Sequence, residues 1–369
     1  MQHDSGLGWP GTSRTGDGSV GRPTGVSTGV GWPDEPAAPD ESRVSRETER
    51  LPEATDSEVP LISPEAPDVT EAPEATEAPG SSLPTSEPPR RTVTPSRDPL
   101  AGEQWRRPVR TRILTIANQK GGVGKTTTAV NLAAALARGG LSVLVIDTDP
   151  QGNASTALGI DHHAEVRSVY DVLVDEATLA EVVQPCPDID GLLCAPATID
   201  LAGAEIELVS YVARETRLQR ALHAFLDDPQ VLKPDYVLID CPPSLGLLTI
   251  NAFVAADEVL IPIQCEYYAL EGLTMLLKNI EMIRRHLNPR LFISTILLTM
   301  YDARTRLSQQ VATEVREHFP EQVLGTTVPR SVRISEAPSH GQTVLTYDPM
   351  STGALSYLEA ARELATRAV

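Results

Sequence analysis

Residues 112–147 read RILTIANQKGGVGKTTTAVNLAAALARGGLSVLVID. Ile113, Leu114 and Ile116 mark a short buried strand. A glycine-rich loop follows, and a helix is expected from about Lys125, because Ala129, Leu132, Ala133, Leu136 and Ala137 recur at helical spacing. Gly139 and Gly140 end it, as glycine does at helix C-termini. Residues 142–147 form a second apolar strand. A strand, a loop, a helix and a strand in so short a span imply a right-handed crossover within a parallel sheet.

The alternation continues downstream. Helical patterns lie near 204–226, 270–286, 304–319 and 354–368, and strand patterns at 236–240, 258–263, 291–299 and 323–328. These strands are nearly all apolar, as expected when helices cover both faces. The fold class is therefore α/β, an open, mostly parallel, doubly wound sheet. Ligands in such folds sit beyond the C-terminal ends of the strands.

Upstream of residue 109 the composition changes. More than half of the 31 prolines fall there, among Ser, Thr, Gly and Glu, with few large apolar residues. Such a segment cannot bury enough surface to offset the entropy of ordering it. Residues 1–108 are thus expected to be a disordered tail, and 109–369 one folded domain. The tail's expected role is to bind a partner such as a polar scaffold; a downstream start codon is the alternative. The net charge of −19 argues against polyanion binding as a global property while leaving room for a local basic patch. Cys186, Cys194, Cys241 and Cys265 show no metal-finger spacing and read as buried thiols. No signal pattern or membrane-length apolar run is present, so a cytoplasmic protein is expected.

The loop carries the chemistry. Gly121, Gly122, Val123 and Gly124 would aim backbone N–H groups at phosphates, beside the positive end of the next helix. Lys125 would reach the β- and γ-phosphates, the Thr126 hydroxyl would ligate Mg²⁺, and Thr127 would hold the α-phosphate. The strict G-x-x-x-x-G-K-[ST] pattern fails at its first position, Gln119, and an extra lysine, Lys120, opens the loop instead. Asp240 ends the apolar run 236–240, the position of a carboxylate that holds Mg²⁺ mostly through water. Asp149, just past the second strand, is placed to orient the attacking water.

At these residues the sequence resembles the ParA/Soj partition ATPases, within the wider group that includes MinD and the nitrogenase iron protein. The matching stretches are ANQKGGVGKTT at 117–127, DTDPQGN at 147–153, IDCPPS at 239–244, YYALEG at 267–272 and VPRSVRISEAPSHG at 328–341. The resemblance implies an ATP-bound homodimer in which Lys120 crosses to the partner's phosphates. It also implies non-specific binding of that dimer to double-stranded DNA, and release when a ParB-like centromere-binding protein stimulates hydrolysis. Arg304 and Arg333 match the family's DNA-contacting arginines, with Arg306 and Arg330 as helpers, and Pro329 and Arg330 match a loop near the adenine. Catalytic roles fall to Lys120, Lys125 and Asp149. Nucleoid association follows, and no membrane contact.

Three rivals share the ATPase core. A MinD-like regulator would need a C-terminal membrane helix, but residues 351–369 have a mixed-charge polar face and suit packing on their own domain. An iron-protein-like enzyme would use Cys194 and Cys241 as cluster ligands. A carrier ATPase would want a C-x-x-C pair, which is absent.

Overall fold

Eight strands form one sheet in the order β3-β4-β2-β5-β1-β6-β7-β8 in the computed structural model, which describes residues 105–175, 177–267 and 269–367. The expected tail, apart from its last four residues, lies outside the described residues, as does Tyr268 of the YYALEG stretch.

The chain runs β1 (Arg112–Ile116), α1 (Lys125–Arg138), β2 (Val143–Asp147), α2 (Asn153–Ala157), α3 (Val169–Leu173), α4 (Leu179–Val182), β3 (Gln184–Pro185) and β4 (Leu192–Ala195). It continues through α5 (Leu201–Glu207), α6 (Arg217–Asp227), β5 (Tyr236–Asp240), α7 (Leu247–Ala255), β6 (Glu258–Gln264) and α8 (Ala269–His286). It closes with β7 (Phe292–Tyr301), α9 (Arg306–His318), β8 (Val323–Pro329), α10 (Val332–Glu336), α11 (Val344–Tyr347) and α12 (Thr352–Thr366). Every strand pair is parallel except β3 with β4 at one edge.

The side-chain period of two sorts the strand residues into two cores. On β2 and β5, Leu144, Ile146, Val237 and Ile239 face one core, with α6, α7 and α8. Val143, Val145, Tyr236 and Leu238 face the other, with α1 and α12. Both faces are covered, which is why these strands read as unbroken apolar runs. Helix α1 is buried almost all round, and its alanines let it lie close between sheet and α12. A largely buried ion pair joins the layers: Arg112 bonds Glu258 at 2.6 and 2.7 Å and donates to the Leu364 carbonyl at 3.0 Å.

Two expectations are corrected. The helical pattern at 204–226 is not one helix. It breaks between α5 and α6, where Ala213 takes a left-handed φ of 54° and turns the chain. Buried Asn251 of α7 fixes that turn, donating to the Arg214 carbonyl at 2.8 Å and accepting from the Leu218 amide at 3.2 Å. A tertiary cap of this kind leaves no trace in hydrophobic period.

The second correction concerns where packing begins. Trp105, four residues before the expected boundary, is 8% exposed. Its amide donates to the Gly139 carbonyl at 3.1 Å, and its ring lies so close over Gly139 that a Cβ there would stand 2.4 Å from it. Arg107 adds bonds to Asp235 at 2.9 Å and the Gly140 carbonyl at 3.1 Å. Glycine at 139 is thus a packing requirement as well as a helix stop. Trp105→Ala is expected to lower the unfolding free energy of the full chain by about 3 kcal/mol, read from urea unfolding; an unchanged midpoint would show that the folded body starts later.

Candidate functional site

Register places the site. In the sheet, Asp240 lies opposite Ile116 of β1 on one side and Asp147 of β2 on the other. The glycine-rich loop leaves β1 at that same level, so loop and carboxylates meet at the C-terminal edge of the sheet.

The loop is held by its neighbours. The Asn118 side chain donates to the Pro262 carbonyl at 2.8 Å and accepts the Lys120 amide at 3.0 Å. The Thr299 hydroxyl of β7 donates to the Val123 carbonyl at 2.9 Å. Gly122 and Gly124 adopt φ of 73° and 87°, which L side chains rarely do. A Cβ on Gly121 or Gly122 would meet nothing within 4 Å, so protein packing does not explain the bare backbone there. Helix α1 begins at Lys125 with no acidic residue in its first turn, and its positive end faces the loop. Thr126 and Thr127 are half-buried in that turn.

Lys125 is 7% exposed, and its Nζ makes one long bond, 3.4 Å, to the Lys120 carbonyl. Burial lowers its pKa, opposed by the charges of Asp240 and Asp149. Asp240 is wholly buried and neither carboxylate oxygen has a hydrogen-bond partner. Its pKa is pushed well above the carboxylate range by burial and then by Asp147. Thr126 and Lys125 draw it back down, although the Thr126 hydroxyl does not reach good hydrogen-bond geometry. A buried carboxylate in this state is costly unless a cation completes it.

Asp147 is equally buried, and burial pushes its pKa up to about 6, but its oxygens are partnered. It accepts from the Ser155 amide at 2.9 Å, the Ser155 hydroxyl at 2.7 Å and the Asp149 amide at 3.2 Å. Ser155 passes the connection on by accepting the Ala197 amide at 3.1 Å. Asp147 is therefore a brace that shapes the turn bearing Asp149. Sequence reading passed over it; its place at a strand end two residues before Asp149 was the available signal. Asp149 is 8% exposed and accepts the Gln151 amide at 3.1 Å.

Lys125, Thr126, Asp149 and Asp240 are thus brought together. Lys120 turns away from them, its Nζ 2.8 Å from Glu266. Pro329 ends β8 opposite Tyr301, and the exposed Arg330 lies 3.7 Å from Glu266. Arg304 and Arg333 are exposed but already paired. Arg304 makes two 2.9 Å bonds to Asp302, whose pKa those bonds hold down at about 2. Arg333 meets Glu336 at 3.1 Å and Asp348 at 3.4 Å. Cys194 and Cys241 are wholly enclosed, the latter thiol pushed up to about 12 by burial, so neither can reach a group shared with a second subunit.

The residues fit a nucleoside triphosphate with Mg²⁺: a loop of glycine amides open on one side, a buried ammonium, and a carboxylate with two unpartnered oxygens beside a threonine. Together they define the P-loop nucleoside-triphosphatase class, with the extra lysine at the loop's start. Comparison with known proteins narrows the class. A family model described as AAA domain matches residues 111–293. Over 254 residues the chain is 54% identical to the sporulation initiation inhibitor protein Soj of Bacillus subtilis, covering 69% of this chain and 98% of that one. It is 52% identical over 256 residues to the chromosome partitioning protein ParA of Caulobacter vibrioides, covering 69% and 94%. Among solved structures, cobyrinic acid a,c-diamide synthase from Mycobacterium smegmatis, with bound ADP and magnesium, matches with TM-score 0.58 and 38% identity over 68% of this chain and 92% of that one. The cell division ATPase MinD of Pyrococcus furiosus matches with TM-score 0.57 and 28% identity over 69% and 98%. The chain belongs to the ParA/Soj family of chromosome-partitioning ATPases.

The two buried aspartates should respond oppositely to mutation. In nucleotide-free protein, Asp240→Asn is expected to raise the unfolding free energy by about 1–3 kcal/mol, since it removes a buried carboxyl whose ionised form no hydrogen-bond partner stabilises. Asp147→Ala is expected to lower it by at least about 2 kcal/mol, since it strands three donors. Urea unfolding of both variants checks this, and shifts of the same sign would refute the contrast.

Proposed function

We infer that the chain hydrolyses ATP to ADP and phosphate as the switch of a DNA-segregation cycle. ATP with Mg²⁺ joins two subunits, the dimer binds duplex DNA without sequence preference, and a ParB-like partner stimulates hydrolysis and release. The single observation that carries the ATPase reading is Asp240, fully buried and unpartnered beside Thr126 and Lys125. The identity with Soj and ParA supports the segregation role.

In this reading the amides of 121–124 and the side chains of Lys125, Thr126 and Thr127 bind the triphosphate, and Thr126 and Asp240 hold Mg²⁺. The metal supplies charge neutralisation on the phosphate oxygens. Asp149, fixed by the turn that Asp147 braces, orients water and takes its proton. Lys125 holds positive charge where the γ-phosphate's negative charge develops. Lys120 is turned out of its own subunit's site, consistent with service to a second copy. Pro329 and Arg330 border the base.

DNA contact by Arg304 and Arg333 would require each to leave an acidic neighbour. Contacts to phosphate carry affinity without reading sequence and weaken as salt rises. In α12, Tyr357, Ala360, Ala361 and Leu364 are buried in the core that α1 shares, so that face is not available to a bilayer. Among the described residues no helix is long and apolar enough to cross a membrane. A cytoplasmic, nucleoid-associated protein is the corresponding location, and the tail remains the candidate arm for a polar scaffold.

Asp149→Ala is expected to slow phosphate release roughly 10²-fold or more while leaving the ATP-dependent dimer intact. Lys120→Ala is expected to abolish that dimer while ATP still binds. Phosphate-release assays and sedimentation velocity separate the two, and wild-type behaviour in either variant would remove the role assigned to that residue.

A further inference from the structure

Glu266 lies just beyond β6, where its backbone is fixed on both sides. Its amide donates to the Gln264 carbonyl at 2.8 Å, and its carbonyl accepts the Ala269 amide at 3.0 Å. The neighbouring Cys265 carbonyl accepts the Ser308 hydroxyl at 3.3 Å. The carboxylate is thus presented from an anchored point, and three side chains from three segments converge on it. Gln264 Nε2 donates to Oε1, Arg330 stands 3.7 Å from that same oxygen, and Lys120 Nζ lies 2.8 Å from Oε2.

The contrast with Lys125 is informative. Both lysines belong to one loop, yet Lys125 is buried toward Asp240 and Asp149 while Lys120 is turned to Glu266 with its side chain 36% exposed. A part-exposed ion pair of this kind is weak, so a competing anion of higher charge can displace it.

We propose that Glu266 is a positioning residue that holds Lys120 within its own subunit and so sets the ATP and protein concentrations at which two subunits assemble. The proposal rests on the reading in which Lys120 serves the triphosphate of a second copy. Assembly with a triphosphate then requires the Lys120–Glu266 pair to open, and the free energy of that pair is subtracted from assembly. Assembly without a γ-phosphate leaves the pair closed, so Glu266 has no bearing on it. Arg330 shares the carboxylate and stays beside it once Lys120 has left.

The test is sedimentation velocity on the full chain with Mg²⁺ and either a non-hydrolysable ATP analogue or ADP. Wild type, Glu266→Gln, Lys120→Ala and the double variant are compared. Glu266→Gln is expected to lower the dimer dissociation constant with the ATP analogue about two- to fivefold. Its behaviour with ADP and its affinity for a fluorescent ATP analogue should not change. The double variant should fail to assemble, as Lys120→Ala does, because releasing a lysine that is no longer there gains nothing. Unchanged or weaker assembly of Glu266→Gln would overturn the proposal, since a structural lesion lowers assembly and the thermal midpoint together. Assembly of the double variant would overturn it as well. Wild type that stays monomeric with the ATP analogue would instead refute the dimer reading itself, and the role of Glu266 with it.

Discussion

The parallel pairing of β2, β5 and β1 is the constraint on which the site depends. It sets Asp147, Asp240 and the departure of the glycine-rich loop at one level of the sheet. A shift of one residue in either pairing would turn the strand side chains to the opposite core and move Asp240 away from Lys125. The two apolar cores on the sheet's faces therefore do more than stabilise the domain, because their alternation along β2 and β5 fixes where the acid falls.

Stability and chemistry are divided between adjacent residues. The Asp147 carboxylate accepts three hydrogen bonds from the turn, whereas that of Asp240 accepts none. A domain of this size tolerates such an uncompensated group because its layers are tied elsewhere, by the Arg112–Glu258 pair across β1, β6 and α12 and by Trp105 packed on the end of α1. The charged surface follows a similar division. Lys125 points inward with no acid bound to it, while Lys120, Arg304 and Arg333 each rest on a carboxylate of their own subunit. In the segregation reading those cations act only when a stronger anion replaces the resting partner.

Much of this was legible in the sequence. The β1–loop–α1–β2 unit follows from apolar period and glycine placement, and the loop residues and Asp240 follow from their positions at strand ends. α8, α9 and α12 match their expected spans closely, because each has a clear apolar stripe. What escaped depends on contacts distant in sequence. The break between α5 and α6 is fixed by Asn251 of α7, the start of packing by Trp105 meeting Gly139, and the edge pair of β3 and β4 by strands too short to show a period. Glu266 beside Lys120 and Asp348 beside Arg333 come from other segments, so spacing could not reveal them, whereas Glu336 stands three residues from Arg333 on α10. Asp302, two residues from Arg304, was visible but read only as part of a loop.

The measurement that bears most directly on the account is binding of wild-type protein to random-sequence duplex DNA, by fluorescence anisotropy, with ATP, ADP or no nucleotide at low and moderate salt. A nucleotide-gated segregation ATPase binds only with ATP, and loses that binding as salt rises. Equal binding in all three states, or none in any, would contradict it.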